Sequence, residues 1–488
     1  MHFSRFFFML LLFSLFTGMS CSSSLFAQAS KKGYEIILEV ENLEDKQVFL
    51  ANYYGDKPYI KDSIMAKDGR MVFKGDEALD GGIYLAVLPP NNQFVQFFIS
   101  DGEQHFKIKA DAANLAGSVE VEGSVDNKLF YDYMNFLGGQ LDKKTAIEAK
   151  KAAAGDNQKK LDAITEEFKQ LDQEVKDFHR DVLTHYPKTL TAAFIANRID
   201  VDVPDFEGTE EEVHEKQWQY VKNHYFDMLD MTDPRLVRAP FLYQKIDHFI
   251  NKLTVQHPDS LARSIDQVLT LVKPSEPTFK YYLVHFLNMF AKSKIVGMDA
   301  VYVHIVDNYY AKGLAPWTEE EQLKKIVKNA NTLRPILIGK VAPNIQVEKQ
   351  DKSKIKLHDV DHELTILFFW SPDCGHCKKA MPHMVDFYKE YKSKDVEIFG
   401  VCTEVQDKCE KCWPAIEEKN MGDWINTTDP FLRSRYKVIY DIRTTPQIFI
   451  LDKDKKIISK RIGAEQVKGV VDEYFEIKKR KAELESGK

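Results

Sequence analysis

The pattern of apolar and polar positions divides the chain into three stretches with different predicted secondary structure. Residues 33–125 contain short alternating or β-branched runs separated by turn residues, which is typical of an all-β domain such as a sandwich or a small barrel. From residue 126 to residue 335, apolar residues recur at spacings of three and four, which predicts helices. After residue 336, strand-like and helix-like runs alternate, and this order predicts an α/β domain with parallel strands.

Individual runs within the first two stretches predict specific elements. Five strands are expected in the β domain, at residues 34–40, 47–52, 70–74, 82–88 and 94–99. A charged segment at 140–181 predicts a long amphipathic helix, or a helical hairpin that breaks near 155–157. Prolines divide residues 186–335 into segments of ordinary helix length, and the many aromatic side chains there are interpreted as core.

The third stretch predicts an ordered series of elements. They are a hairpin at 345–347 and 354–357, a strand at 364–370, a helix at 375–392, a strand at 396–402, a helix from about 413, strands at 447–451 and 456–461, and a closing helix from about 464. The predicted domains are therefore an all-β domain at 30–125, an all-helical domain at 126–335 and an α/β domain at 336–480, followed by a tail at 481–488.

The first 29 residues are set apart from these domains. Arg5 precedes an apolar run at 6–16, which is too short to span a bilayer and is typical of a signal-peptide core. Ala27 and Ala29 fit the small-x-small pattern for ordinary cleavage after residue 29. The sequence before Cys21 instead resembles a bacterial lipobox, which would leave a signal of residues 1–20 and a lipid on Cys21. Either route predicts export to the periplasm or cell envelope, with membrane attachment only through that lipid anchor.

Charge and cysteine distribution narrow the range of functions that the chain could have. The net charge is -7 and 29% of the residues are charged, without a basic stripe, so nucleic acid is not an expected partner. Five of the six cysteines lie between Cys374 and Cys412. Disulfides that staple a secreted domain would be spread among the strands that need them, so this clustering indicates chemistry instead.

Two of these cysteines occupy a position that favours a reactive thiolate. Cys374 and Cys377 follow a buried strand and a Ser-Pro-Asp turn, and they open a predicted helix. Free backbone N–H groups and the helix dipole stabilise a thiolate there, and Cys374, nearer the helix start, is predicted to be the attacking sulfur. His376 lies between the two and can stabilise the Cys374 thiolate further.

The residues around this dithiol resemble the active site of the thioredoxin superfamily. The shared features are Trp370 at the end of the strand, the Cys-Gly-His-Cys sequence, Pro382 five residues past the second cysteine, and a Thr445-Pro446 pair before a strand. Residues 339–344 resemble the start of the TlpA-like and redoxin branch, and the resemblance covers about 336–480.

The resemblance implies roles for several residues. Cys377 would be the resolving thiol, and the only redox group would be the dithiol itself, with no further cofactor and no metal. Pro446 would follow a cis peptide bond, and the backbone of Thr445 would pair with a substrate peptide. Trp370 would pack beside the dithiol, with an ordinary core tryptophan as the competing interpretation. Many thioredoxins carry a buried acid where this chain has Phe368. Glu404, just past the neighbouring strand, is one candidate substitute, and water or His376 could move the proton instead.

The three remaining cysteines allow several interpretations. Cys409 and Cys412 form a second Cys-x-x-Cys pair, and Cys402 ends the strand predicted to lie beside the active-site strand. The pair could relay electrons, form a regulatory disulfide, bind a metal together with Cys402, or lie on the surface without a role.

These observations predict an exported thiol-disulfide oxidoreductase of the bacterial cell envelope, TlpA-like. Its expected partners are envelope proteins that carry disulfides and a membrane or periplasmic thiol donor. One alternative is a redoxin-type thiol peroxidase, for which Ser371 fits the motif but Leu367 replaces the expected proline. The other is a non-enzymatic envelope binding protein that acts through its β and helical domains.

Overall fold

The computed structural model describes residues 32–100, 102–115 and 117–486. The predicted signal peptide, with Cys21 and its lipidation, lies outside these residues. Across the described ranges, we find no helix that combines the length and the apolar character needed to cross a bilayer. The domain order follows the sequence prediction: β-sheets first, a helical region in the middle and an α/β domain at the carboxyl end.

The first region consists of two four-stranded sheets. Its strands are β1 (Tyr34–Glu41), β2 (Lys46–Tyr54), β3 (Lys57–Ala66), β4 (Arg70–Gly75), β5 (Gly82–Leu88), β6 (Gln93–Ile99), β7 (His105–Asp111) and β8 (Glu120–Glu122). The strand orders are β4-β1-β7-β8 and β3-β2-β5-β6. Buried residues of both sheets belong to one apolar cluster, so the two sheets share a core.

Helices follow without further strands up to residue 333. They are α1 (Val125–Ala154), α2 (Gln158–His185), α3 (Leu190–Arg198), α4 (Glu210–His224), α5 (Pro240–Asn251), α6 (Pro258–Val272), α7 (Glu276–Ala291), α8 (Asp299–Ile305) and α9 (Glu320–Leu333). The predicted break at 155–157 is confirmed, because α1 ends there and Asn157 caps the start of α2 through its side chain.

The carboxyl-terminal domain is built on one mixed sheet of seven strands. Its elements are β9 (Gln346–Glu348), β10 (Lys354–Lys356), β11 (Leu364–Trp370), α10 (Gly375–Tyr391), β12 (Val396–Cys402), α11 (Cys412–Glu418), β13 (Ile425–Thr428), α12 (Tyr436–Ile439), β14 (Gln447–Leu451), β15 (Ile457–Lys460) and α13 (Val467–Glu485). The strand order is β10-β9-β13-β12-β11-β14-β15.

The central strand β11 is buried on both faces. It pairs in parallel with β12 and antiparallel with β14. Phe368 and Trp370 pack into the apolar cluster that includes α10 and α13, whereas Phe369 packs into the cluster on the opposite face. A strand covered on both faces reads as a continuous apolar run, which is why the sequence predicted its bounds.

Among the described residues, two polar side-chain contacts connect the helical region with the α/β domain. Lys460 of β15 is buried and forms an ion pair with Asp299 of α8, and its ammonium group also donates to the carbonyl of Ile336. Arg443 donates to the side chain of Asn329 in α9 over 3.2 Å. Because Arg443 lies in the loop before β14, the helical region contacts a segment close to the dithiol.

Candidate active site

Cys374 lies between the end of β11 and the start of α10. It occupies the N-cap position of α10, and its Sγ accepts a hydrogen bond from the Cys377 backbone N–H over 3.4 Å. A helix N-terminus presents unpaired N–H groups and the positive end of the helix dipole, so negative charge on Cys374 is stabilised there.

The two cysteines differ sharply in exposure. Cys374 is half-buried, while Cys377, one turn along the helix, has no exposed surface. A substrate disulfide can therefore reach Cys374 first, and Cys377 is protected behind it. This arrangement separates an attacking sulfur from a resolving sulfur.

The pKa values of the two thiols move in opposite directions. Burial raises the pKa of Cys374, but hydrogen bonding by the side chains of Thr445 and Cys377 and by the backbone of Cys377 and His376 more than offsets it, and the net pKa is below the usual value. Burial raises the pKa of Cys377 to about 12. Cys374 is thus the readier thiolate, and Cys377 stays protonated until its proton is removed.

The loop before β14 reaches the dithiol from the opposite side. The peptide bond between Thr445 and Pro446 is cis, as the sequence resemblance implied. The Thr445 carbonyl accepts a hydrogen bond from the Cys374 thiol over 3.2 Å. Thr445 is therefore in direct contact with the attacking sulfur.

The other predicted site residues surround the dithiol at different depths. Trp370 is fully buried in the apolar cluster that contains Cys377, and its indole N–H has no hydrogen-bond partner among the described residues. His376 is exposed on the first turn of α10. Pro382 lies inside α10 and is exposed. The electrostatic role of His376 stays a prediction.

The structure places Phe368 in the core and Glu404 beside the active-site turn, and the substitution of Glu404 for the buried acid stays a prediction. Phe368 is fully buried, so an apolar ring fills that position. Glu404 follows β12, and its carboxylate accepts a hydrogen bond from the Ser371 hydroxyl over 2.7 Å. The carboxylate therefore reaches the turn between β11 and Cys374 from the neighbouring strand.

The second Cys-x-x-Cys sequence does not form a pair with itself. The structure contains a disulfide between Cys402 and Cys412, with a Cα–Cα distance of 6.3 Å, and Cys409 is a buried free thiol. The pairing considered between Cys409 and Cys412 is therefore replaced by one between the end of β12 and the start of α11. All three sulfurs are buried, so the surface-pair interpretation is wrong.

A metal site at these cysteines is not present in the described parts of the chain, where no group of three or more potential ligand residues is arranged to hold an ion. Cys402 and Cys412 use their sulfurs for the disulfide instead. Sequence reasoning also missed Lys411, which pairs with Asp373 over 3.2 Å, because the contact depends on how the segment after β12 folds back onto the active-site turn.

Comparisons with protein-family models match three parts of the chain. Residues 338–460 match the AhpC/TSA family. Residues 34–130 and 156–334 match two domains of unknown function, DUF4369 and DUF5106.

Among curated proteins, the chain is similar to the thiol-disulfide oxidoreductase ResA of several bacilli. It is 33% identical to the Bacillus thuringiensis (strain Al Hakam) protein over 141 residues, which cover 28% of this chain and 76% of that protein. It is 25% identical to the Bacillus subtilis protein over 152 residues, covering 28% of this chain and 74% of that protein.

A solved structure of a domain of a possible thiol-disulfide isomerase from Cytophaga hutchinsonii is 35% identical, with a TM-score of 0.28, and covers 30% of this chain and 98% of that chain. A thioredoxin-like protein from Bacteroides caccae covers 57% of this chain and 98% of that chain at 17% identity, with a TM-score of 0.42.

Proposed function

Because the carboxyl-terminal domain of this chain belongs to the family of thioredoxin-like thiol-disulfide oxidoreductases, we propose that the protein reduces or isomerises disulfides of other proteins in the bacterial cell envelope. The observation that carries the proposal is the pairing of a half-buried Cys374 at a helix N-terminus with a fully buried Cys377 one turn away. The sulfur of Cys374 is accessible and readily ionised, whereas the sulfur of Cys377 is buried and available for the second step.

In this reaction, the Cys374 thiolate attacks a substrate disulfide and forms a mixed disulfide, and one substrate sulfur leaves as a thiol. Cys377 then attacks Cys374, which releases the second substrate sulfur and closes the Cys374–Cys377 disulfide. The backbone of Thr445, at the edge of the dithiol, is available to pair with the substrate chain. A membrane or periplasmic thiol donor would restore the dithiol, and no further cofactor is required.

Export is supported by the amino-terminal sequence, whose charged start and apolar run fit a signal peptide or a lipoprotein signal at Cys21. We assign the β region at 30–125 to a sandwich-like docking or spacer module, since its two sheets share one core. The helical region at 126–335 holds the redox domain at 336–480 through the contacts of Lys460 and Arg443.

A glutathione redox titration of the whole chain, following labelling of Cys374, tests the activity. A midpoint of about -270 mV identifies a reductase, and one of about -180 mV identifies an isomerase or an oxidant. Cys409→Ser is the matched control and should leave the midpoint unchanged. If Cys374 and Cys377 never form a disulfide, the proposal is lost.

The match to the AhpC/TSA family model makes peroxide reduction the second candidate. Consumption of hydrogen peroxide by the purified chain, dependent on Cys374 and faster than its reaction with a protein disulfide, would favour the peroxidase. Leu367, in place of the proline expected for that activity, argues for the opposite outcome.

A further inference from the structure

A cleft that is open to solvent lies between the β region and the helical region. The turn between β2 and β3 forms one wall and one face of α7 forms the other, so every residue that lines the cleft is outside the redox domain. Its volume is about 510 Å³, within the range of roughly 300–1,000 Å³ for small-molecule sites. Such sites occur preferentially where two domains meet, as they do here.

The two walls are held against each other by Tyr281 of α7. Its ring packs edge-on against Tyr54, with 5.3 Å between the ring centroids, and its hydroxyl donates to the Asp56 carboxylate over 3.3 Å. Gly55 has a φ of 65°, and a Cβ atom at this position would lie 1.8 Å from the Tyr281 hydroxyl oxygen. Glycine therefore permits both the turn and the close approach, and the cleft is formed without a ligand.

Aromatic and aliphatic side chains provide most of the surface of the cleft. Tyr59 is 52% exposed and Val284 is 36% exposed, while Tyr54 and Met289 are partly buried. A ligand that covers these groups removes apolar surface from water, and tyrosine rings on both walls favour a ligand that contains an aromatic ring. A small inorganic ion would leave this surface exposed.

Positive charge surrounds the apolar surface. Lys57, Lys280 and Lys292 are exposed, and none of them forms an ion pair with another residue that the structure describes. Lys280 lies over the Trp317 ring, 5.7 Å from its centroid, which does not neutralise the charge. The carboxylate in the lining is that of Asp56, which already accepts a tyrosine hydroxyl. The charge of the cleft therefore favours an anionic ligand.

Two further polar groups of α7 line the cleft. Within the described ranges of the chain, the His285 imidazole and the Asn288 carboxamide have no hydrogen-bond partner. His285 stacks on Tyr281 with 5.9 Å between the ring centroids, which restricts the orientation of the imidazole. Burial lowers the pKa of His285, so the ring is neutral near pH 7 and presents one N–H donor and one acceptor nitrogen. Both groups can hydrogen-bond to the polar end of a ligand.

We propose that this cleft binds a small aromatic anion, in which a ring carries a carboxylate or sulfonate group. The ring lies against Tyr54, Tyr59 and Val284, and the anionic group lies among the three lysines. Because the site is outside the redox domain, the proposal goes beyond disulfide exchange and does not depend on it.

The test uses the intact chain and anilinonaphthalene sulfonate, an aromatic sulfonate that becomes fluorescent when it binds apolar surface. A titration should saturate with one probe molecule per chain. Naphthoate, its uncharged analogue naphthamide, and inorganic phosphate then compete with the probe. Naphthoate should bind at least about fivefold more tightly than naphthamide, and phosphate should not displace the probe at the same concentrations.

Two variants locate the site. Val284→Trp should weaken naphthoate binding by at least about tenfold, because the indole occupies the space of the ligand ring. Its matched control is Val125→Trp, which changes an exposed valine at the start of α1, outside the cleft, and should have no effect. Lys280→Gln combined with Lys292→Gln should weaken naphthoate binding about fivefold and leave naphthamide binding unchanged. Lys159→Gln combined with Lys160→Gln changes the net charge equally on exposed positions of α2 and is its control.

Circular dichroism shows whether each variant is folded, and if Val284→Trp is not, the paired lysine variant decides. Equal affinities for naphthoate and naphthamide, or displacement of the probe by phosphate, would overturn the inference. A probe signal that neither variant changes would also overturn it, because the probe would then bind elsewhere. None of these outcomes affects the proposed oxidoreductase function, which depends on the dithiol of another domain.

Discussion

The N–H of Cys377 donates to the sulfur of Cys374 over 3.4 Å, although the first residue is fully buried and the second is half-exposed. One helical turn therefore connects a sulfur that meets the substrate with a sulfur that the substrate cannot reach. The hydrogen bond favours the thiolate form of Cys374, and burial favours the thiol form of Cys377. This helical turn therefore determines the order of the two chemical steps, in which Cys374 reacts first and Cys377 second.

Replacing each cysteine of the dithiol should have a different effect. Cys374→Ser should abolish the reduction of a protein disulfide, because no nucleophile remains at the accessible position. Cys377→Ser should instead accumulate a mixed disulfide with the substrate, since the resolving sulfur is missing. Non-reducing gel electrophoresis with a disulfide-containing substrate measures the adduct. An adduct that forms equally well in the Cys374→Ser variant would assign the attack to another sulfur.

The rate of alkylation should distinguish the two thiols by pH. Hydrogen bonding lowers the pKa of Cys374, so its reaction with iodoacetamide should reach half its maximum below the usual thiol pKa of about 8.5. Burial raises the pKa of Cys377 to about 12, so this thiol should stay unmodified across the neutral range. Mass spectrometry of peptides after timed alkylation reports both. Comparable labelling of the two thiols at neutral pH would contradict the assignment.

The Cys402–Cys412 disulfide should survive conditions that reduce the Cys374–Cys377 disulfide. Both sulfurs are fully buried, so a small dithiol has no direct access to them. Removing this disulfide should lower the free energy of unfolding by about 2–3 kcal/mol, as expected for a short closed loop. Differential alkylation and urea unfolding measure the two effects. Cys409→Ser is the control, and reduction of both disulfides at the same reductant concentration would contradict the prediction.

We expect the Lys460–Asp299 pair to stabilise the packing of the helical region against the redox domain. The side chains are 2% and 16% exposed, so Asp299→Asn leaves a buried ammonium group without its counter-charge. Loss of one partner of a buried pair costs about 3–5 kcal/mol. Asp423→Asn, which breaks the exposed pair with Lys392, should cost less than about 1 kcal/mol. Similar midpoints of urea unfolding for the two variants would show that the buried pair stabilises the protein no more than the exposed pair does.

Most of the redox domain could be predicted from sequence because its central elements are buried on both faces. The bounds of β11, β12 and β14 agree with the predicted strands at 364–370, 396–402 and 447–451, since continuous apolar runs mark such strands clearly. Strand β3 was missed because it is an edge strand whose residues are nearly all exposed, so no apolar alternation marks it. Strand β13 was missed because four residues carry too little pattern.

The cysteine pairing was beyond sequence reasoning for a different reason. Spacing alone favours Cys409 with Cys412, but pairing depends on where β12 ends in space. Cys402 is in register with Trp370, and the chain returns to it at the start of α11. Ser371 and Lys411 acquired their significance in the same way, because their partners Glu404 and Asp373 lie 33 and 38 positions away in sequence.

The contacts between the helical region and the redox domain also determine whether a fragment of the protein can replace the intact chain in experiments. A fragment that starts at residue 336 keeps Lys460 and Arg443 but loses Asp299 and Asn329, so a cation that was 2% exposed would need solvent or a new anion. Arg443 precedes Thr445 by two residues, and Thr445 contacts the Cys374 sulfur. In such a fragment, the loop before β14 lacks the contact of Arg443 with the helical region. Its redox potential would therefore differ from that of the intact chain, which is the form to measure.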